Sequence, residues 1–223
     1  MLVAVPTARE RARARTTESI LAAARSQLAE VGAAALSLRA VAREVGMVSS
    51  AVYRYFPSRD ELLTALIIEA YDAVGEAAEA AQEAAAGRAP RERWVAVWRA
   101  VRVWARAHPA QYALIYGSPV PGYAAPPDTL PAAGRVGLVL GGIAVDAHVE
   151  GHPDDDVVAA MAPDVADALG IDPRLAPAAV TAWTVLFGTV GFELFGQYEN
   201  VVLDRDAYFD HVAGTAASAV GLP

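Results

Sequence analysis

Apolar residues recur at three- and four-residue spacing almost from end to end of the chain, and strict alternation appears nowhere. That periodicity lays one apolar stripe along each helix and predicts an all-α protein. The first stripe holds Ile20, Leu21, Ala24, Leu28 and Val31. Thr16 or Thr17 starts this helix in the reading: a hydroxyl accepts from a first-turn amide, and Glu18 favours the positive helix end. Gly32 stands where a helix stops on a residue that tolerates positive φ. Ser37 caps a second, short helix with Leu38, Val41, Ala42 and Val45 turned inward. Gly46-Met47-Val48 makes a tight turn, and a third helix runs from Ser49 or Ser50 to Tyr55 with Val52 and Phe56 inward. Two short helices joined by a three-residue turn containing glycine form a helix-turn-helix.

Pro57 stops the third helix, and Ser58-Arg59-Asp60-Glu61 reads as a capping box. The fourth helix then opens with Leu62, Leu63, Leu66, Ile67 and Ala70 and runs to about Ala86, with Gly87 and Pro90 beyond it. A fifth, from Arg91, carries Trp94, Trp98, Val101 and Trp104 until Pro109 interrupts. After a short sixth helix, Gly117 to Gly134 holds five prolines and reads as a surface loop. Further helices are predicted over 135–149, 154–169, 178–198 and 205–220. The domains that follow are a basic flexible arm (1–15), a helix-turn-helix domain (16–57) and a larger helical domain (58–223).

Charge changes the picture most. The net charge is −8, yet residues 1–60 hold nine arginines against five acids, while residues 61–223 hold nine against 21. A basic head on an acidic body puts any phosphate contact at the N-terminal end, because the body repels the same polyanion. Absence of cysteine excludes disulfides, thiolate zinc sites and a cysteine nucleophile, and fits a reducing cytoplasm. Met1–Arg15 has too short an apolar run for a signal peptide. Leu175 to Phe192 is 18 residues without a charge. Rich in Ala, Thr and Gly, it reads as a helix buried in protein, not in a membrane.

Three runs carry more: Thr17-Glu18-Ser19-Ile20-Leu21-Ala22-Ala23-Ala24, then Ser37-Leu38-Arg39-Ala40-Val41-Ala42, then Val52-Tyr53-Arg54-Tyr55-Phe56-Pro57-Ser58-Arg59-Asp60-Glu61-Leu62-Leu63. Over residues 16–70 the chain resembles the TetR family of bacterial transcriptional repressors, and His108 to Pro119, with the helix through Trp183 and Gly188, resembles the effector domain of an actinobacterial subgroup of it. The resemblance implies a homodimer on a palindromic DNA operator, with the third helix in the major groove. Tyr53 matches a family tyrosine whose hydroxyl contacts phosphate. Arg59, where relatives usually have lysine, implies a phosphate held by a cation and a helix start together. Arg39 matches a position that reaches a base or a phosphate, and arginine pairs bidentately with guanine. Ser49, Ser50 and Ala51 occupy the start of the recognition helix, and Arg54 follows one turn on. Val48 stands where a capping serine is common, so the cap is expected to shift to Ser49. Arg9, Arg11, Arg13 and Arg15 are either an arm reaching DNA or a solubilising tail.

The same resemblance makes the later helices a ligand-binding core and the last two a dimer interface. The helix near 176–198 supports this by itself: Trp183, Phe187, Val190 and Leu194 line one face, and Val185, Gly188, Phe192 and Phe195 another. A helix apolar on two faces needs two partners, its own core and a second subunit. Trp183, Phe192, Phe195 and Tyr208 are therefore the interface candidates. Trp94, Trp98, Trp104, Tyr112, Tyr116, Tyr123 and Phe187 are candidates to line a pocket for a small, largely apolar effector. His148 and His152, with Asp146 and Glu150 between, have zinc-like spacing, but Gly151 and Pro153 make this a helix end, and it reads as an acidic solvated turn. No metal and no cofactor is expected. No GxSxG, phosphate loop or HExxH is present, so the reading is a cytoplasmic regulator and not an enzyme. The alternative is a ligand-binding or enzymatic helical protein without regulatory DNA binding.

Overall fold

The computed structural model describes residues 7–151, 155–162 and 164–223, and among them are eleven α-helices and no strand. In chain order they are α1 (Ala8–Ala35), α2 (Leu38–Glu44), α3 (Ser49–Val52), α4 (Arg59–Ala84), α5 (Pro90–Ala107) and α6 (Pro109–Tyr116). There follow α7 (Leu130–Asp146), α8 (Asp155–Ala159), α9 (Val165–Leu169), α10 (Ala176–Leu194) and α11 (Arg205–Val220). The chain divides into two compact units: the first is Met1–Ala70 with Ala110–Pro127, the second Tyr71–Pro109 with Asp128–Pro223. The division differs from the one read at residue 57. The opening turns of α4 and the proline loop belong with the helix-turn-helix.

In the first unit α1 begins eight residues before the predicted Thr16. Thr7 and Glu10 form a capping box: the Glu10 amide donates to Thr7 Oγ1 at 3.2 Å, and the Thr7 amide donates to Glu10 Oε2 at 2.7 Å. Those bonds satisfy amides that a helix start leaves without partners. The arginine-rich stretch is thus helical from Ala8, not a flexible arm. At the other end Gly32 breaks the helix at φ 74°. Ile20, Ala24, Leu38, Val41, Val52, Leu62, Leu63 and Leu66 are buried together as the core. Each buried Ile, Leu or Val side chain among them contributes roughly 1.5–3 kcal/mol. Leu114, Val120 and Tyr123 pack on the same core, and the Tyr123 hydroxyl lies 2.8 Å from Thr64 Oγ1.

The second unit is built around α5, which packs on α7, α10 and α11. Trp94, Val97, Trp98, Val101, Trp104 and Ala105 are buried at three- and four-residue spacing, as a single inward stripe requires. The Trp94 and Trp98 rings lie 5.8 Å apart, and Phe209 of α11 stands 6.1 Å from Trp98. α7 starts at Leu130, earlier than predicted, because Pro131 falls in its first turn, where a missing amide hydrogen costs nothing. It stops at Asp146. His148 lies beyond that helix end with a left-handed backbone at φ 54°, and His152 lies outside the described residues. The helix predicted over 154–169 is two five-residue helices, α8 and α9. Gly75 of α4 is required by close approach: a Cβ there would stand 2.8 Å from the Cβ of Arg135.

Two segments are long and apolar enough to cross a membrane by length and composition, Pro127–Asp146 and Pro173–Leu194. The second contains α10, whose Ala182, Leu186, Phe187, Val190 and Gly191 are buried within its own unit. That side of α10 is a core helix. Its other side stays open.

Candidate nucleic-acid interface and helical cavity

α2 buries Leu38, Val41 and Ala42, which turns Arg39 and Arg43, one helical turn apart, outward together. Arg43 was missed from the sequence, although its four-residue spacing from Arg39 was the signal. α3 follows after a turn closed by the Met47 amide donating to the Ala42 carbonyl at 2.8 Å. Val52 anchors α3, leaving Ser50, Tyr53 and Arg54 exposed and Ser49 and Ala51 half-buried. The N-cap of α3 is Val48, with no side-chain bond, so the cap does not shift to Ser49. Val48 is 71% exposed. An apolar side chain in solvent beside a row of arginines is poorly placed unless something covers it.

Arg59 opens α4 and turns back on α1. Its Nε donates to the Leu36 carbonyl at 3.2 Å, and its Nη2 to those of Ala33 and Ala34 at 2.8 and 3.0 Å. These are carbonyls that a helix C-terminus leaves open, and a cation suits the negative helix end. The residue ties α1 to α4 around the helix-turn-helix. Arg13 of α1 stands with its guanidinium carbon 5.0 Å from the centre of the Tyr55 ring. By contrast, no hydrogen bond or ion pair engages Arg39, Arg43 or Arg54 among the described residues.

In the second unit nearly all of the arginines have partners. Arg102 and Glu193, at 9% and 8% side-chain exposure, form a two-bonded pair at 2.6 and 2.8 Å, and Arg102 also meets Asp206 at 2.7 Å. The Glu193 bonds raise the Arg102 pKa against the desolvation that lowers it. Arg135 holds Glu79 and Asp72, and Arg99 holds Asp210; each arginine keeps its main carboxylate below the usual range. A cavity of about 240 Å³ opens among α5, α7, α9 and α10, lined by Trp94, Leu140, Gly141, Leu169, Ile171 and Trp183 among others. The lining is almost wholly apolar. The buried indole N–H of Trp94 has no hydrogen-bond partner, and neither do those of Trp98 and Trp104.

Comparison with known proteins decides what this arrangement is. The family profile "Bacterial regulatory proteins, tetR family" matches residues 20–66, and "Tetracyclin repressor-like, C-terminal domain" matches residues 94–216. The chain is 39% identical over 217 residues to the HTH-type transcriptional regulator Rv1816 of Mycobacterium tuberculosis, covering 91% of each protein. The corresponding regulator Mb1846 of Mycobacterium bovis matches equally. This chain belongs to the TetR family. Among solved structures, the regulatory protein SCO4313 superposes with a TM-score of 0.74 at 33% identity, over 95% of this chain and 100% of that one. A protein of unknown function from Rhodococcus sp. RHA1 follows at 0.66 and 26%, over 92% and 94%.

As a TetR-family member the chain is a DNA-binding transcriptional regulator with a helix-turn-helix head and a helical C-terminal domain. The structure divides the aromatic residues that the sequence grouped into one pocket. Trp94 lines the cavity; Trp98, Trp104 and Phe187 are buried, with Trp104 stacked on His108 at 5.6 Å and Phe187 edge-on to Trp183 at 5.5 Å. Tyr112, Tyr116 and Tyr123 lie in the first unit, where the Tyr112 and Tyr116 rings stand 5.3 Å apart. Trp183, read as an interface residue, also lines the cavity. Periodicity gave each residue its face but not the element opposite.

Proposed function

We propose that this regulator is a homodimeric repressor, acting in the cytoplasm, that grips a palindromic operator through α2 and α3 and loosens or tightens on a small, largely apolar effector. The carrying observation is the contrast in arginine pairing. Arg39, Arg43 and Arg54 stand exposed and without protein partners beside Tyr53, whereas the second unit engages nearly all of its arginines. Unneutralised guanidinium groups on a helix-turn-helix suit the phosphates and guanine edges of DNA. Arg39, Ser49, Ser50, Ala51 and Arg54 take the groove side, and the Tyr53 hydroxyl a phosphate. Arg59 acts mainly by position, fixing α4 to α1 so that the recognition helix keeps its angle.

The second copy docks on α10 and α11. Trp183, Phe192, Phe195 and Tyr208 are 43%, 54%, 48% and 40% exposed in the single chain, more apolar ring area than an isolated subunit normally leaves open. The effector occupies the cavity beside Trp94, whose volume lies just under the range of ~300–1,000 Å³ common for ligand sites and so favours a compact molecule. Arg59 opens α4, and the effector acts through that helix on the recognition helix.

Selection of duplexes from random DNA by the purified protein tests the reading. A palindromic site, a dimer in solution, and small apolar molecules that alter operator affinity are expected. Ala179→Phe, which fills the cavity, removes the effector response and leaves operator binding intact. A protein that stays monomeric at micromolar concentration and ignores every duplex in low salt is not such a repressor; turnover of a small molecule without DNA supports an enzyme instead.

A further inference from the structure

The arginine-rich start of α1 is a helix, and its register sorts the arginines. At 3.6 residues per turn, Arg9 and Arg13 fall on the stripe that carries the buried Ile20, Ala24 and Gln27, while Arg11 and Arg15 fall on the opposite side. The stripe changes character along its length: buried at Ile20, half-buried at Thr16 and Thr17, then basic and exposed at Arg13 and Arg9. The same side of α1 that covers the helix-turn-helix core therefore continues past the core as a pair of guanidinium groups. Arg13 fixes where that pair lies, because it rests on the ring of Tyr55, two residues after Tyr53 and directly after Arg54. Arg9 stands about 6 Å further along the axis. The capping box at Thr7 and Glu10 holds the first turn in helical register.

We infer that Arg9 and Arg13 form a second DNA-contacting element, which engages backbone phosphates at the edge of the half-site while Arg11 and Arg15 take no part. The inference rests on the regulator reading above and adds to it a contact outside the helix-turn-helix. DNA carries one charge per ~1.7 Å of duplex, so a basic stripe adjoining an occupied recognition helix meets phosphate wherever the duplex continues. A merely solubilising tail has no reason to differ between its two sides. Charge complementarity and continuity with the α2–α3 surface both point to the same duplex as the occupant.

The experiment compares two double variants of equal charge, Arg9→Gln/Arg13→Gln and Arg11→Gln/Arg15→Gln, on the operator selected by the wild type. Affinity is measured across a salt series, with helicity and melting temperature as fold controls. The first double is expected to lower the salt slope by about 0.9 per lost phosphate contact, or ~2 per protomer. Between about 50 and 200 mM salt it then loses roughly tenfold less affinity per protomer than the wild type, and its ranking of operator sequences is unchanged. The second double keeps the wild-type slope. Arg9→Gln alone gives half the change and leaves the Arg13–Tyr55 contact in place, so a folding defect in the double does not leave the question open. Equal slopes for the two doubles, or a larger change in the second, overturn this proposal alone. A wild type that binds no duplex overturns the regulator reading as well.

Discussion

The two units use the same side chain in opposite ways. The protein has no lysine and 18 arginines, yet in the second unit nearly all of these end on a partner: Arg99 on Asp210, Arg102 on Glu193 and Asp206, Arg135 on Asp72 and Glu79, Arg205 on Glu199, and Arg91 on the Gly214 carbonyl and Ser218 hydroxyl. In the first unit Arg25 is paired with Glu18 and Glu69, and Arg59 is spent on α1, but Arg39, Arg43 and Arg54 end in solvent. Surplus acid in one unit and surplus arginine in the other make this possible. Bidentate arginine–carboxylate pairs fix helices at a set angle, and the same planar fork left open suits phosphate or guanine. The unit that leaves its arginines open leaves few aromatic rings open; the other does the reverse. Each unit's exposed surplus points to its partner.

That contrast breaks most decisively at α10. If the exposed rings of the second unit serve a second copy, Phe192→Glu should give a monomer with the fold of the single chain retained. A monomer holds one half-site at a time, and losing the linked second site costs affinity on the order of 10²–10⁴-fold. Sedimentation and operator titration read the two effects together. A monomeric variant that still binds the operator at full strength sinks the assignment of this face.

The next effect is internal. Glu193→Ala strands Arg102 in a nearly buried site, and breaking such a pair costs about 3–5 kcal/mol. The exposed Asp206 keeps one contact with Arg102, so the lower end of that range is expected. Arg102 also lies 4.9 Å from the Phe209 ring centre, which keeps the guanidinium over an apolar neighbour. Urea unfolding at fixed protein concentration measures the loss. The double variant Arg102→Met/Glu193→Leu should recover most of it, since an apolar pair leaves no buried charge. A single variant as stable as the wild type would mean that arginine pairing does not hold this unit together.

Much of this division was legible in the sequence, and the failures have physical causes. Gly32 breaks the helical run of α1 at positive φ, and α11 spans the predicted residues 205–220, because breaks and ends of helices are local chemistry. The start of α1 was also local, written in Thr7-x-x-Glu10, but no apolar stripe marks a helix whose first two turns alternate arginine with alanine and glutamate. The tertiary features were not legible. Nothing in the spacing of Trp94, Tyr112 and Tyr123 says that the first lines a cavity while the others belong to another unit. Nor does Arg59 announce that its donors turn back to carbonyls 23 to 26 residues earlier.

The first unit's open side chains give smaller, sequence-dependent effects. Arg39→Ala should cost ~1–3 kcal/mol of operator binding and relax preference at one base pair, if the guanidinium reads guanine. Tyr53→Phe should weaken all duplexes alike by about 1.5–3 kcal/mol, the worth of one hydrogen bond to a charged group. Val48 sharpens the test. Its exposed methyl groups suit a thymine methyl, so Val48→Ser should relax preference at one A·T pair while stabilising α3 by about 1 kcal/mol or less through a restored cap. Binding profiles over single-base operator variants separate the three. Uniform losses for all three would reduce this surface to a phosphate contact.

Acid titration reaches the smallest difference between the units. Arg135 holds Glu79, and Arg99 holds Asp210, below the ordinary carboxylate range. A carboxylate whose folded pKa is depressed binds fewer protons than in the unfolded chain, so stability rises with pH through that window. Its contribution is complete above the unfolded value near ~4 and is lost as pH falls through the folded one. These pairs are partly exposed, so about 0.2–1 kcal/mol each is expected after screening. Urea stability measured between about pH 5 and pH 2 should therefore descend less steeply in Arg135→Gln and Arg99→Gln than in the wild type. Arg39→Gln should follow the wild-type curve, because no carboxylate depends on that guanidinium. An Arg39→Gln curve as flat as the other two would place hidden carboxylate partners in the DNA-binding head and remove the distinction between open and paired arginines.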